Sequence, residues 1–245
     1  MASARLGCVD GRAVFITTLL AGYIDVEKVS GGKLSSDPMS CFEHWAEVCK
    51  VATNLSQADE SSAIELDANK LECPVPRPRQ IFAIGINYKA HAAEMNNPLP
   101  KEPLVFTKFQ SSLNSPNGAL TLVGEKCDFE AELVTVIAKG GRNISASEAW
   151  GHVAGLCVGQ DVSDRALQYA NTPPQFSLGK SRAGFTPIGP WITDAASLTT
   201  RSNLEMTCRV SGEIMQHTQT DDMIFEIPEI IRYLSSICEL FPGDV

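Results

Sequence analysis

The segment Cys127-Asp-Phe-Glu-Ala-Glu-Leu-Val-Thr-Val-Ile137 reads as a strand with two glutamates at its start. Alternate residues of a strand share a face. Glu130, Glu132, Val134 and Val136 therefore point one way, and Ala131, Leu133, Thr135 and Ile137 the other. Both faces continue as apolar, which predicts a strand buried on both sides. The Cα atoms of Glu130 and Glu132 are expected roughly 7 Å apart, from a rise of about 3.3–3.4 Å per residue. Both carboxyl groups can then reach one ion. Burying two bare carboxylates is costly, and a hard cation with oxygen ligands, Mg2+ or Mn2+, offsets that cost. An exposed strand end with two solvated glutamates is the competing reading, and these residues alone leave both open.

A third acid ends the apolar run Val153-Ala-Gly-Leu-Cys-Val-Gly-Gln-Asp161. Strand ends hold side chains rigidly; a turn-capping aspartate is the plainer reading. Lys180 lies in Ser177-Leu-Gly-Lys180-Ser181. A phosphate loop would need glycine at 174, where Pro174 stands, and the serine β-lactamase pattern lacks its S-D-N and K-T-G partners. A lysine beside a metal and an anionic substrate remains, against a surface lysine as the commoner case. His91 and Glu94, three residues apart in Asn87-Tyr-Lys-Ala-His-Ala-Ala-Glu94, face each other on a helical turn. A carboxylate orienting a histidine suits a general base; a solvated ion pair is the ordinary alternative. His44, His152 and His217 show no such partner and read as structural.

The elements that must position these residues are mainly strands. Ile81–Ile86, Leu104–Lys108, Phe129–Lys139, Val153–Val158, Ile188–Thr193 and Leu204–Val210 are short runs bounded by turn residues. Ser145-Ala-Ser-Glu148 is a capping box and predicts a helix start. Ile227, Ile230, Ile231, Leu234, Ile237 and Cys238 share one helical face, with Pro228 in the first turn. Upstream, Leu6–Val9, Asp10-Gly11 and Ala13–Ile16 read as a hairpin on a type I′ turn, and residues 40–53 as an amphipathic helix. Three prolines in Cys73-Pro-Val-Pro-Arg-Pro-Arg79 exclude regular structure there. The expected organisation is a small N-terminal domain at 1–72, a linker at 73–79 and a larger domain at 80–245. The fold class is α+β, mainly β.

The net charge of −9 repels phosphate backbones, so nucleic acid is an unsuitable partner. The eight cysteines show no C-x-x-C spacing, which argues for reduced thiols rather than zinc or disulfides. The apolar stretch Ala13–Tyr23 is too short to span a membrane and lacks a basic leader. No membrane association and a cytoplasmic location are the expectations.

Seven ordered segments together resemble the catalytic domain of the fumarylacetoacetate hydrolase family. They are Ile84–Glu94, Pro103–Lys108, Phe129–Leu133, Gly155–Asp161 with Arg165, Leu178–Ser181, Pro187–Trp191 and Met223–Phe225, covering about residues 80–245. The resemblance implies a mixed, barrel-like β-roll, usually dimeric, behind a small N-terminal domain. It implies metal ligands at Glu130, Glu132 and Asp161, a catalytic lysine at Lys180, and a His91–Glu94 dyad on a mobile lid. Lys108 and Arg165 match positions near the substrate. Two departures stand out: Phe109 replaces a proline, and the sequence stops at Val245, where the family continues into a strand and a Thr-Gly-Thr-Pro loop. A truncated chain is therefore one expectation, with a catalytically silent metal-binding or dimerisation protein as the reading from another class. The favoured activity is metal-dependent hydrolysis of a C–C bond in an acylpyruvate-like 2-oxo acid by a homodimer. Oxaloacetate-type decarboxylation and hydroxymuconate-type isomerisation are the alternatives, because all three pass through an enolate.

Overall fold

The computed structural model describes residues 4–94 and 98–245. Asp10 (φ 50°) and Gly11 (φ 71°) turn the chain between the strands Arg5–Val9 and Arg12–Ile16, as an Asp-Gly pair requires. Gly22–Asp25 and the short Ile64–Glu65 extend this ribbon. On its other edge, Arg5 and Leu6 pair with Thr193 and Ile192 of the strand Thr186–Asp194. That strand pairs with Val153–Gln160, which pairs with Ala131–Ile137. The result is one nine-stranded sheet. It stays open, with Ala131–Ile137 and Ile64–Glu65 at its two ends, rather than closing into a barrel. The architecture is α+β and mainly β.

The leading 72 residues, expected as a small separate unit, thus share a sheet with the rest. They share a core as well. Leu6, Phe15, Phe42 and Trp45 fill one apolar cluster with Val134, Val136, Ile188 and Ile192. Local periodicity reveals each strand but not which distant strand it joins.

Two helices differ from expectation. The 40–53 helix is broken at His44 into Pro38–Glu43 and Trp45–Thr53, and the Phe42 and Trp45 rings stack across the break, 5.9 Å between centroids. The Ser145 capping box opens no α-helix. The Ser145 hydroxyl donates to the Glu148 carboxylate at 2.6 Å, and a single 3-10 turn, Ala149–His152, leads straight into Val153. The strand Val153–Gln160 begins directly after that turn and leaves no room for a longer helix. The helix Ile227–Ile237 forms with Pro228 in its first turn and lays Ile227, Ile231 and Leu234 against Ile137, Val153 and Leu156. Ala131–Ile137 is therefore packed on both faces, as its sequence predicts.

Among the described residues three two-stranded pairs stand outside the large sheet: Phe82–Gly85 with Leu104–Thr107, Cys127–Asp128 with Ser163–Asp164, and the hairpin of Glu205–Val210 with Glu213–Gln219. All eight cysteines are free. Among the described residues no helix is long and apolar enough to cross a membrane.

Candidate active site

Antiparallel pairing places Glu132 opposite Gly159 and Ala131 opposite Gln160. One step back, the Asp161 N–H donates to the Glu130 carbonyl at 2.9 Å. Directly opposed residues share a face of a sheet, so Glu130, Glu132 and Asp161 lie on one face at the strand ends. Gly159 keeps that face open: a Cβ there would meet Val134 Cγ2 at 2.8 Å.

Three cations meet these acids. Lys180 Nζ donates to Glu130 Oε2 at 2.6 Å and to Asp161 Oδ2 at 2.7 Å. Lys108 Nζ pairs with Asp161 Oδ1 and donates to the Phe185 carbonyl at 3.0 Å. Arg165 Nη2 bridges Glu130 Oε1 at 2.6 Å and Asp128 Oδ2 at 2.7 Å, while Nη1 donates to Gln168 Oε1 at 2.9 Å. Lys180 is 2% exposed and Lys108 5%, so the surface-lysine reading does not hold. Lys180 caps the short helix Phe176–Gly179, with the Phe106 ring centroid 5.1 Å from its Nζ. Gly179 allows this close packing: a Cβ there would lie 2.9 Å from both the Asp164 carbonyl and the Gln168 nitrogen.

Burial, then the charges of Glu130 and Asp161, push the Glu132 carboxyl up to about 8. Among the described residues Glu132 has no hydrogen-bond or ion-pair partner. Burial also works against the charge on Glu130, but Lys180 and Arg165 outweigh it and hold that carboxyl low. Burial and the neighbouring Lys180 charge pull the Lys108 ammonium down, against Asp161.

A cavity of about 660 Å³ opens onto this ledge. All eight residues singled out in the sequence line it: His91, Glu94, Lys108, Glu130, Glu132, Asp161, Arg165 and Lys180. They are not equally engaged. His91 and Glu94 are exposed on the helix Lys89–Glu94, and Nδ1 stands 3.6 Å from Oε2, beyond hydrogen-bond length. Ile86 (φ 53°) takes a left-handed backbone that β-branched residues avoid. The next side chain, Asn87, is locked by Phe225, accepting its N–H at 2.9 Å and donating to its carbonyl at 3.0 Å. Tyr88, Gln168, Gln216 and His217 also line the cavity and were not found by sequence reasoning. Asp128, two residues before Glu130, is the carboxylate that anchors Arg165, and its residue type alone gives no sign of that role. Only its proximity to the glutamates could have signalled it.

Among the described residues no three acidic, histidine or cysteine side chains surround a single point, because Glu130 and Asp161 both turn to Lys180. The donor set nevertheless fits a hard divalent cation. Three carboxylates share one face, one of them has no partner and carries a raised pKa, and the facing residue is glycine.

Residues 80–245 match the family described as Fumarylacetoacetate (FAA) hydrolase C-terminal. The mitochondrial oxaloacetate tautomerase FAHD2A of Bos taurus is 41% identical over 174 residues, 70% of this chain and 55% of that protein. The chain thus spans about half the length of this relative. A solved structure of a candidate HpcE protein from Mycobacterium smegmatis is 40% identical, with TM-score 0.85 over 98% of this chain and 84% of that one. Maleylpyruvate hydrolase from Sphingobium sp. SYK-6, solved with manganese(II) and pyruvate, shares the fold at 24% identity and TM-score 0.79, covering 98% of this chain and 86% of that one. The cytoplasmic location expected from the sequence is overturned by the mitochondrial relative; reading no leader in the first residues does not fix a compartment. Matched over two thirds of its length, with the acid and lysine cluster on the matched part, the chain belongs to the fumarylacetoacetate hydrolase family.

Proposed function

We propose that this chain takes a small dicarboxylic 2-oxo acid of the oxaloacetate type and interconverts its keto and enol forms. The observation that carries this reading is Lys180 Nζ, buried and held between Glu130 and Asp161 at 2.6 and 2.7 Å. An ammonium fixed in a cavity of low dielectric stabilises negative charge as it develops on a 2-oxo oxygen, with no reorganisation at the moment of reaction. Lys108, on the other oxygen of Asp161, adds a second positive charge for a substrate carboxylate. Glu130, Glu132 and Asp161 would hold Mg2+ or Mn2+, which when bound supplies Lewis-acid polarisation of that oxygen.

His91, on the cavity wall, is the candidate to carry a proton to or from the adjacent carbon, through the ring nitrogen that Glu94 does not face. Arg165, gripped by Asp128 and Gln168, keeps Glu130 ionised and in place. Hydrolysis of an acylpyruvate, the activity favoured from the sequence, is less well supported. The resemblance to an oxaloacetate tautomerase at 41% identity supports proton transfer instead.

The test is a substrate comparison on one purified preparation with Mn2+. Enol-to-keto conversion of oxaloacetate, followed by ultraviolet absorbance, should outpace cleavage of an acylpyruvate. Faster acylpyruvate cleavage would replace this reading with the hydrolytic one.

A further inference from the structure

One peptide unit at the ledge is held from both ends. The plane joining Glu130 to Ala131 carries the Glu130 carbonyl, which accepts the Asp161 N–H at 2.9 Å, and the Ala131 N–H, which donates to Gln216 Oε1 at 2.8 Å. Peptide units are rigid planes. Fixing both polar ends of this one fixes the direction in which Glu130 leaves the strand relative to Asp161, while Glu132 is held one step on by its pairing with Gly159. Ala131–Ile137 is an end strand of the large sheet, so on this side the Ala131 N–H has no ladder partner. The Gln216 side chain supplies the acceptor.

Gln216 belongs to the hairpin of Glu205–Val210 and Glu213–Gln219, a separate two-stranded sheet. Such ribbons are marginal by themselves. Its other side-chain hydrogen bond to the ledge strands among the described residues is feeble: Gln160 Nε2 lies 3.5 Å from Cys208 Sγ, and Gln160 Oε1 is buried with no partner there. Met206 and Cys208 supply the hairpin's buried apolar contact.

We propose that Gln216 is a positioning residue that couples docking of the 205–219 hairpin to the cation affinity of the carboxylate ledge; this rests on the cation reading above. Without the Gln216 acceptor, the Ala131 N–H would be left unpaired, and the peptide would turn to find water. That turn would also release the Asp161 N–H and move the Glu130 and Asp161 carboxylates away from Glu132. Coupling of this kind is reciprocal. If the docked hairpin tightens the ion site, a bound ion must tighten the hairpin.

The experiment measures Mn2+ binding by calorimetry without substrate, and hydrogen exchange across residues 205–219 with and without Mn2+. The proteins are wild type, Gln216→Met and Gln216→Glu. Methionine keeps the length and removes the acceptor; glutamate keeps an oxygen acceptor. The expected result is a loss of about 10–100-fold in affinity for Gln216→Met, the usual effect of removing a partner that orients ligands. Gln216→Glu should bind at least as well as about a third of the wild-type affinity. Mn2+ should slow exchange in the wild-type hairpin and not in Gln216→Met. Equal affinity in wild type and Gln216→Met would overturn the proposal, and so would wild-type hairpin amides indifferent to Mn2+; the latter holds even if a variant folds poorly. A wild-type chain that binds no Mn2+ removes the cation reading itself, and the proposal falls with it, a result distinct from either of the others.

Discussion

Glu132 gives the cation site a proton signature. Its carboxyl titrates near 8, raised first by burial and then by Glu130 and Asp161. A metal takes the ionised form, so binding must expel whatever proton the residue holds. From a pKa of about 8, roughly nine-tenths of the molecules carry that proton at pH 7, half at pH 8 and a tenth at pH 9. Mn2+ should therefore release about 0.9 proton per ion at pH 7, falling to about 0.1 at pH 9. Apparent affinity should rise close to tenfold per unit below pH 7 and level off above pH 9. Calorimetry in buffers of different ionisation enthalpy counts those protons directly. Tight Mn2+ binding with no proton release at pH 7 would show that Glu132 is already ionised, and the electrostatic description of the ledge would be wrong.

The same group contributes to the pH dependence of stability without metal. Its folded pKa lies above the ordinary 4.5, so the stability it contributes is present below about pH 4.5 and is lost as pH rises through about 8. In chelator, this contribution lowers the melting temperature between about pH 5 and 8 and levels off above it; Glu132→Gln should flatten that fall, and an unchanged slope in thermal melts would contradict it. Asp161→Asn leaves two buried ammonium groups without their shared carboxylate and should cost about 3–5 kcal/mol in denaturant unfolding; a loss under about 1 kcal/mol would mean the pairs are screened by water. His91→Ala should slow proton transfer at carbon and leave Mn2+ affinity unchanged, because its ring stands outside the ion-pair cluster. A matching loss of affinity, read by calorimetry, would place His91 in the ion site instead.

The ledge was legible because its geometry is local. A period of two places Glu130 and Glu132 on one face, and an apolar run that stops at an acid marks Asp161 as a strand end. Lys180 was legible as a candidate only, since burial at 2% follows from the packing of Gly179 against Asp164 and Gln168, a contact that no local periodicity announces. The joining of Arg5–Val9 to Thr186–Asp194 could not be read at all. The two strands are nearly two hundred residues apart, and nothing in either pattern names its partner. Gln216 was hidden for the same reason: a glutamine on an exposed-looking hairpin gives no sign that its acceptor meets a backbone N–H 85 residues away. The Ser145 capping box misled because a cap favours a helix only when enough residues follow it, and here the strand at Val153 begins too soon.

The most direct test of the central claim is the rate of oxaloacetate enol-to-keto conversion by the purified chain, measured with Mn2+, with chelator, and in the Lys180→Met variant. Wild type with Mn2+ should exceed the buffer rate, chelator should remove most of that excess, and Lys180→Met should lower it by about 10²–10³ while still binding the ion. A wild-type rate equal to buffer at every Mn2+ concentration, or an undiminished rate in Lys180→Met, would contradict the assignment of enol chemistry to this site.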